Sequence, residues 1–228
     1  MRLLVCDMAG TIINERGIVY KSLLNTLENI GIKNELVWWY GLEKKEVINK
    51  SVDKFYNGDD IDSKKEELFT EFKERLDEEY FDSKSNICLI DEKIPDYFTE
   101  LRKNGFKVAL NTGYNKKIQE KLIDKLNLGN YIDDYISSEE VVAGRPYPYM
   151  IDELIKRNGI KIPGDVIKVG DTRNDIVEGR NARCGLKVGV LSGSGTRYDL
   201  IGADEVYKKI TDLDLLSRPL DSIKRQPY

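Results

Sequence analysis

Arg2-Leu3-Leu4-Val5-Cys6-Asp7-Met8-Ala9-Gly10-Thr11 runs four apolar residues into a carboxylate and then a glycine. Uninterrupted apolar runs of this length fit a strand buried on both faces, the kind found in parallel sheets. Asp7 then marks the strand's end and Gly10 the turn that follows it. Further along the chain, strand patterns recur at 107–111, 134–137, 166–170 and 187–191, with a weaker one at 205–207. Helical spacing fills the gaps: Ile94, Phe98 and Leu101 share a face ahead of Gly105, and Ile118, Leu122 and Leu126 repeat the pattern. Helix alternating with strand predicts an α/β fold, a Rossmann-like parallel sheet covered by helices, with its site at the carboxyl ends of the strands.

Residues 14–88 break the alternation. Helical patterns over 20–30, 44–52 and 65–80, the last with Leu68, Phe72 and Leu76 on one face, predict an all-helical insertion. The expected organisation is therefore a core of 1–13 and 89–228 and a helical cap of 14–88. Because the insertion follows the first strand, the cap is expected above the strand ends as a lid. Little apolar content follows Leu216, so the tail is expected to fray.

Composition narrows the function. The chain has 228 residues, 40% hydrophobic and 33% charged, a globular balance. Its 36 basic and 40 acidic side chains leave a formal charge of -4 and no basic face, which argues against a nucleic-acid partner. No apolar run approaches the ~18 residues a membrane span needs. Three widely spaced cysteines, Cys6, Cys88 and Cys184, fit neither a disulfide framework nor a zinc site. With no apolar leader after Met1, a reducing, cytoplasmic location is expected. There is no histidine, which excludes imidazole bases, histidine metal ligands and serine–histidine triads. The chemistry must come from carboxylates, lysines and backbone.

Four segments can carry it. Asp7 precedes a glycine turn that aims backbone amides outward, an arrangement suited to attack on an anionic phosphoryl group. Asn111-Thr112-Gly113-Tyr114 offers a hydroxyl and an amide between a strand and a helix, where phosphate oxygens can be held; the plainer reading is that Thr112 caps the helix near Lys116. Gly144-Arg145-Pro146-Tyr147-Pro148 is a stiff loop presenting one guanidinium. Gly170-Asp171-Thr172-Arg173-Asn174-Asp175 delivers Asp171 from a strand end and returns Asp175 four residues later, so that with Asp7 they form an all-oxygen set suited to magnesium. Gly193-Ser194-Gly195-Thr196 reads as a flexible loop before a short helix, with contact to phosphate as the other reading, and Cys6 and Cys184 read as inert packing residues.

In order and spacing these segments resemble the haloacid dehalogenase superfamily, whose motifs match Asp7 to Thr11, Thr112, Arg145 and Gly170 to Asp175, with a helical cap after the first. Within it the chain is most similar to the phosphonoacetaldehyde hydrolases, or phosphonatases, and phosphonatase-like hydrolases. The likeness is carried by Asp7-Met8-Ala9-Gly10-Thr11, Thr112-Gly113-Tyr114, Ala143-Gly144-Arg145-Pro146-Tyr147-Pro148, and Ile167-Lys168-Val169-Gly170-Asp171-Thr172 with Glu178-Gly179-Arg180-Asn181-Ala182. It implies that Asp7 attacks phosphorus, and that Mg2+ is held by Asp7, the carbonyl of Ala9, Asp171 and, through water, Asp175. Gly10, Thr11, Thr112, Gly113 and Arg145 would hold the transferred group. Most phosphatases of the superfamily carry an acid at the position of Ala9; phosphonatases do not, because a cap lysine condenses with an aldehyde substrate and lets carbon leave as an enamine. Gly41-Leu42-Glu43-Lys44 resembles the stretch bearing that lysine, which points to Lys44; Val47 stands where the family has a histidine.

The expected substrate is a small phosphonate or phosphorylated metabolite. Two alternatives stay open: a phosphomonoesterase of the phosphoglycolate phosphatase kind, and a non-catalytic regulatory protein that binds metal or phosphate. Trp38 and Trp39 are read as packing of the cap, with the substrate entrance or a homodimer contact through the cap as the other readings.

Overall fold

The computed structural model describes residues 1–32, 44–82 and 85–217. The expectations placed on Trp38, Trp39, residues 41–43 and the tail beyond Ser217 lie outside the described residues. In chain order the strands and α-helices are β1 (Arg2–Asp7), β2 (Ile13–Asn14), α1 (Ile18–Glu28), α2 (Lys44–Phe55), α3 (Ile61–Phe81), β3 (Cys88–Leu89), α4 (Ile94–Lys103) and β4 (Phe106–Thr112). There follow α5 (Lys116–Lys125), β5 (Asp134–Ser137), α6 (Tyr149–Arg157), β6 (Val166–Gly170), α7 (Arg173–Asn181), β7 (Leu186–Val190) and β8 (Glu205–Tyr207). Two compact units result, one of Met1–Asn14 with the chain from Cys88 onward, the other of Glu15–Ile87.

The first unit is built on a six-stranded sheet in the order β5-β4-β1-β6-β7-β8, every described pair parallel. The α/β Rossmann-like expectation is met. All six residues of β1 and all five of β6 are buried, as strands covered on both faces must be. Leu3 and Val5 share a face with Ala109 and Ile136 and are covered by Met150, Ile151 and Leu154 of α6. Since the chain steps from β1 to one side and later crosses to the other, the order reverses around β1, where open parallel sheets place their ligand crevice. Register sets the site's floor: Asp7 pairs with Asn111, and Cys6 with Val169, so the carboxyl ends of β1, β4 and β6 lie side by side.

Local chemistry explains the boundaries. Pro95 opens α4, Arg102 and Lys103 close it, and Gly105 takes the left-handed φ of +82° that ends it. Helix α5 is capped by Asn115, whose side chain accepts the Ile118 amide at 2.8 Å. Thr112 therefore does not cap that helix; its hydroxyl accepts the Tyr114 amide at 3.2 Å instead. The small antiparallel sheet of β2 and β3, pairing Ile13 with Leu89 and Asn14 with Cys88, was not foreseen, because two-residue strands carry no periodicity to read.

The second unit holds α1, α2 and α3, with α3 packed on both others. Its core is Val19, Leu23 and Leu27 of α1, Val47, Ile48 and Val52 of α2, and Leu68, Phe72, Leu76 and Tyr80 of α3, each set at helical spacing. Asp60 caps α3 by accepting the Ser63 amide at 3.0 Å, which starts this helix four residues before the expected position. Among the described residues no helix is long and apolar enough to cross a membrane.

Candidate active site

Asp7 closes β1, with only 5% of its surface exposed. The turn after it is tight: amides of Thr11, Ile12 and Ile13 all reach the Met8 carbonyl, and Gly10 adopts φ +79°. Glycine is required there twice over, because a Cβ would also fall 2.6 Å from an Asp171 oxygen. Thr11 donates to Asp7 Oδ2 at 3.4 Å. Ala9, half-buried in the turn, contributes a methyl and no ionisable group.

Carboxylate oxygens of Asp7, Asp171 and Asp175 all lie within 4.8 Å of one another. Asp171 follows β6 and is seated by the 192–195 loop: the Ser194 amide donates to its Oδ2 at 2.8 Å, and a Cβ on Gly193 or Gly195 would overlap it. The stretch expected to be a loose loop is thus a wall of the acidic cluster. Asp175 doubles as the capping-box residue of α7, accepting from the Thr172 amide and hydroxyl. Gly170 makes room for it, since a Cβ there would sit 2.1 Å from the Asp175 carboxyl carbon.

Arg145 bridges the cluster. Its Nη2 lies 2.8 Å from Asp7 Oδ1 and its Nη1 2.6 Å from Asp175 Oδ1, so one planar fork spans two carboxylates. Behind it is a set that the sequence reading did not single out. Fully buried Lys168 places its ammonium 2.7 Å from Asn111 Oδ1, 3.0 Å from Asp175 Oδ1 and 3.2 Å from Glu178 Oε2. Asn111 donates to both oxygens of Glu178 at 2.9 Å. The legible signal was a lysine in the middle of a strand buried on both faces, where a charge must find partners.

Of the expected site residues, Asp7, Asp171 and Asp175 cluster, Thr11 and Arg145 contact Asp7, Arg145 also contacts Asp175, and Gly10 lies against Asp171. Thr112 and Gly113 lie at the end of β4, next to Asp7 by register, with Gly113 exposed. Lys44 belongs to the helical unit, at the first position of α2, its ammonium 4.6 Å from the centre of the Tyr20 ring. Val47 is completely buried in that unit's core. Cys6 and Cys184 are buried free thiols pushed up by desolvation, Cys184 to about 12, which keeps them unreactive.

Crowded carboxylates resist ionisation. Burial raises Asp7 to about 6 even against the pull of Arg145, and burial with the charges of Asp7 and Asp175 raises Asp171 to about 8. Burial would raise Asp175 as well, but Arg145 and Lys168 hold it at about 2. Burial works against the Lys168 charge, yet Asp175 and Glu178 raise its pKa above the usual value, so it stays a cation. A cluster of hard oxygen donors that repel one another is matched to a hard divalent cation, whose charge removes the repulsion.

That repulsion has a measurable consequence. Asp7 and Asp171 bind protons more tightly folded than unfolded, so the metal-free chain should gain stability as pH falls from about 9 to about 4, through Asp171 near 8 and then Asp7 near 6. Asp175 has the opposite sign, and its contribution should be lost as pH drops from about 4 toward 2. Melting temperatures across this range, with and without a divalent cation, test it. The cation should flatten the alkaline limb; a metal-free melting temperature that rises with pH above 6 would contradict the assignment.

The haloacid dehalogenase-like hydrolase family matches residues 1–183. A phosphonoacetaldehyde hydrolase of Bacillus cereus is 32% identical over 145 residues, 61% of this chain but 53% of that enzyme; one from Bacillus cytotoxicus is 30% identical over 134 residues, 58% of this chain and 49% of the relative. The chain thus spans about half the length of the curated relatives it matches. A phosphonoacetaldehyde hydrolase-like protein from Oleispira antarctica superposes with a TM-score of 0.73 at 21% identity, covering 93% of this chain and 90% of its own, and speaks to the fold. With the motif order, the sheet topology and the match over residues 1–183 in agreement, the chain belongs to the haloacid dehalogenase-like hydrolase family.

Proposed function

We propose that the protein is a magnesium-dependent hydrolase of phosphorus compounds in which Asp7 is the nucleophile, acting on phosphonoacetaldehyde or a related small phosphonate. The observation that carries this reading is the Asp7 carboxylate in contact with the Arg145 guanidinium and beside Asp171 and Asp175, in a turn where the neighbouring Ala9 supplies no acid. The curated relatives named phosphonoacetaldehyde hydrolase support it. The core of 1–13 and 89–228 would carry the chemistry and the helical 14–88 cap the substrate's organic end.

Asp7, the Ala9 carbonyl, Asp171 and Asp175 would hold Mg2+, which lowers the charge of the incoming anion. Arg145 orients the Asp7 carboxylate and would later hold the transferred oxygens, with Gly10, Thr11, Thr112 and Gly113 as further donors. The Lys44 amino group condenses with the aldehyde and releases water, its nitrogen keeping one proton, to give an iminium. Asp7 then forms its bond to phosphorus as the carbon–phosphorus bond breaks, and that electron pair moves into the iminium to make an enamine. Water hydrolyses the aspartyl phosphate to inorganic phosphate; the enamine takes up a proton and its hydrolysis returns Lys44 and acetaldehyde. No acid at position 9 is needed, because carbon departs as a stabilised enamine.

Buried Val47, where related enzymes have a histidine, favours a second reading, a phosphomonoesterase for a small metabolite in which Lys44 has no role. Acetaldehyde and phosphate release from phosphonoacetaldehyde, with simple phosphate esters in parallel, separates the two. Lys44→Ala should lower phosphonoacetaldehyde turnover by roughly 10²–10⁴-fold, the scale of lost leaving-group activation, and leave ester turnover unchanged. If only esters react and the variant equals the parent, the phosphatase reading replaces the first.

A further inference from the structure

We propose that Lys168 and Glu178, bridged by Asn111, are positioning residues that hold Arg145 and Asp175 against Asp7 and fix the charge of the buried site at −2, a role that rests on the function proposed above.

Asp7, Asp171, Asp175 and Glu178 are buried here together with Arg145 and Lys168, beside the neutral thiols of Cys6 and Cys184. Counted as fully ionised, as they would be around a divalent cation, four carboxylates facing two cations leave a formal −2, equal and opposite to that cation. Burial pushes the Glu178 carboxyl up, while Lys168 and Arg145 pull it back down, and both its oxygens accept from donors, the Asn111 amide and the Lys168 ammonium.

Geometry makes the pair a support for the reacting groups. Asp175 Oδ1 lies between two cations, Arg145 Nη1 at 2.6 Å and Lys168 Nζ at 3.0 Å, so its place depends on both. Lys168 is in turn tethered by Glu178 and by Asn111, the residue that pairs with Asp7 across β1 and β4. Arg145 Nε also faces Glu178, at 4.0 Å. Close packing of α7 on β6 allows these contacts: a Cβ on Gly179 would lie 3.0 Å from that of Lys168. Neither Lys168 nor Glu178 belongs to the carboxylate set that could hold a metal ion. They act through Arg145 and Asp175.

A charge-balanced double-mutant cycle tests this, with Glu178→Gln, Lys168→Met and both together in the full chain. Mg2+ affinity is measured by calorimetry on the chelated protein, and kcat and KM with the preferred phosphorus substrate. Glu178→Gln moves the site to −1 and should weaken Mg2+ about tenfold or more; the double variant returns it to −2 and should bind within about threefold of the parent. Lys168→Met, at −3, should bind Mg2+ no more weakly than the parent. Turnover separates charge from position: kcat should fall roughly 10–100-fold in all three with KM little changed.

If a single variant fails to fold, the charge-neutral Asn111→Ser carries the test, with kcat reduced and Mg2+ affinity unchanged. The proposal is overturned if the parent binds no Mg2+, if Glu178→Gln and the double variant bind it alike, or if the double variant and Asn111→Ser melt lower yet keep the parental kcat. A parent that binds Mg2+ but turns over no phosphorus compound sinks the proposed function alone; the calorimetric pattern then still decides this one.

Discussion

Asp7→Asn should abolish turnover, by roughly 10⁴-fold or more, while making the metal-free protein harder to melt. The loss follows from chemistry: an amide oxygen is a poor nucleophile and cannot form the acyl phosphate. The gain follows from electrostatics. Burial lifts the Asp7 carboxylate to about 6, so at neutral pH the fold bears the cost of an unwelcome charge that the amide removes. Asn can still accept from Arg145 Nη2, which lies 2.8 Å from Asp7 Oδ1, so that contact is retained. Product formation and a melting curve of the same preparation measure both effects. Full activity in the variant would remove the nucleophile assignment, and with it the roles given to Arg145 and Lys44. A lower metal-free melting temperature would mean that pairing with Arg145 outweighs the cost of burying the charge.

Arg145→Met should cost both stability and catalysis. Asp7 and Asp175 would lose a shared cation in a site that is 8% exposed or less, and removing one partner of a buried ion pair destabilises by about 3–5 kcal/mol. Lys168 remains in direct contact with Asp175 and acts on Asp7 at longer range, so the damage should fall chiefly on the nucleophile. On kcat/KM the expected loss is about 10²–10³-fold, the scale of removing one donor to a developing anion. Arg145→Lys should recover little, because one ammonium cannot reproduce a fork whose two nitrogens contact different carboxylates. Urea unfolding and steady-state kinetics provide the measurements. A methionine variant within twofold of the parent in kcat/KM would show that Arg145 does not hold the transferred group.

The acidic cluster was readable because each member sits where a local rule put it. Asp7 ends an apolar run, Asp171 ends another, and Asp175 returns four residues later on a helix start; their meeting needed only adjacent parallel strands. Arg145 was recognisable as a loop guanidinium, but not as a bridge between Asp7 and Asp175, since loops carry no periodicity that fixes where a side chain points. Lys168 and Glu178 were passed over for the opposite reason. They lie inside regular elements, where a charge is ordinarily read as solvated, and only the close approach of α7 to β6 at Gly179 buries them together. Glycines in the 192–195 loop signal flexibility in one dimension; in three, Gly193 and Gly195 are small so that Asp171 can fit.

The strands of the six-stranded sheet, the helical interruption and the candidate carboxylates were legible along the chain, because burial on two faces, helical spacing and strand-ending acids are properties of neighbouring residues. Tertiary structure alone decided which charges neutralise which. The pairing of Lys168 with Glu178, the forked bridge of Arg145 and the upward shift of Asp171 to about 8 arise between residues brought together by sheet order and helix packing. Electrostatic energy depends on distance and desolvation, which chain order does not encode.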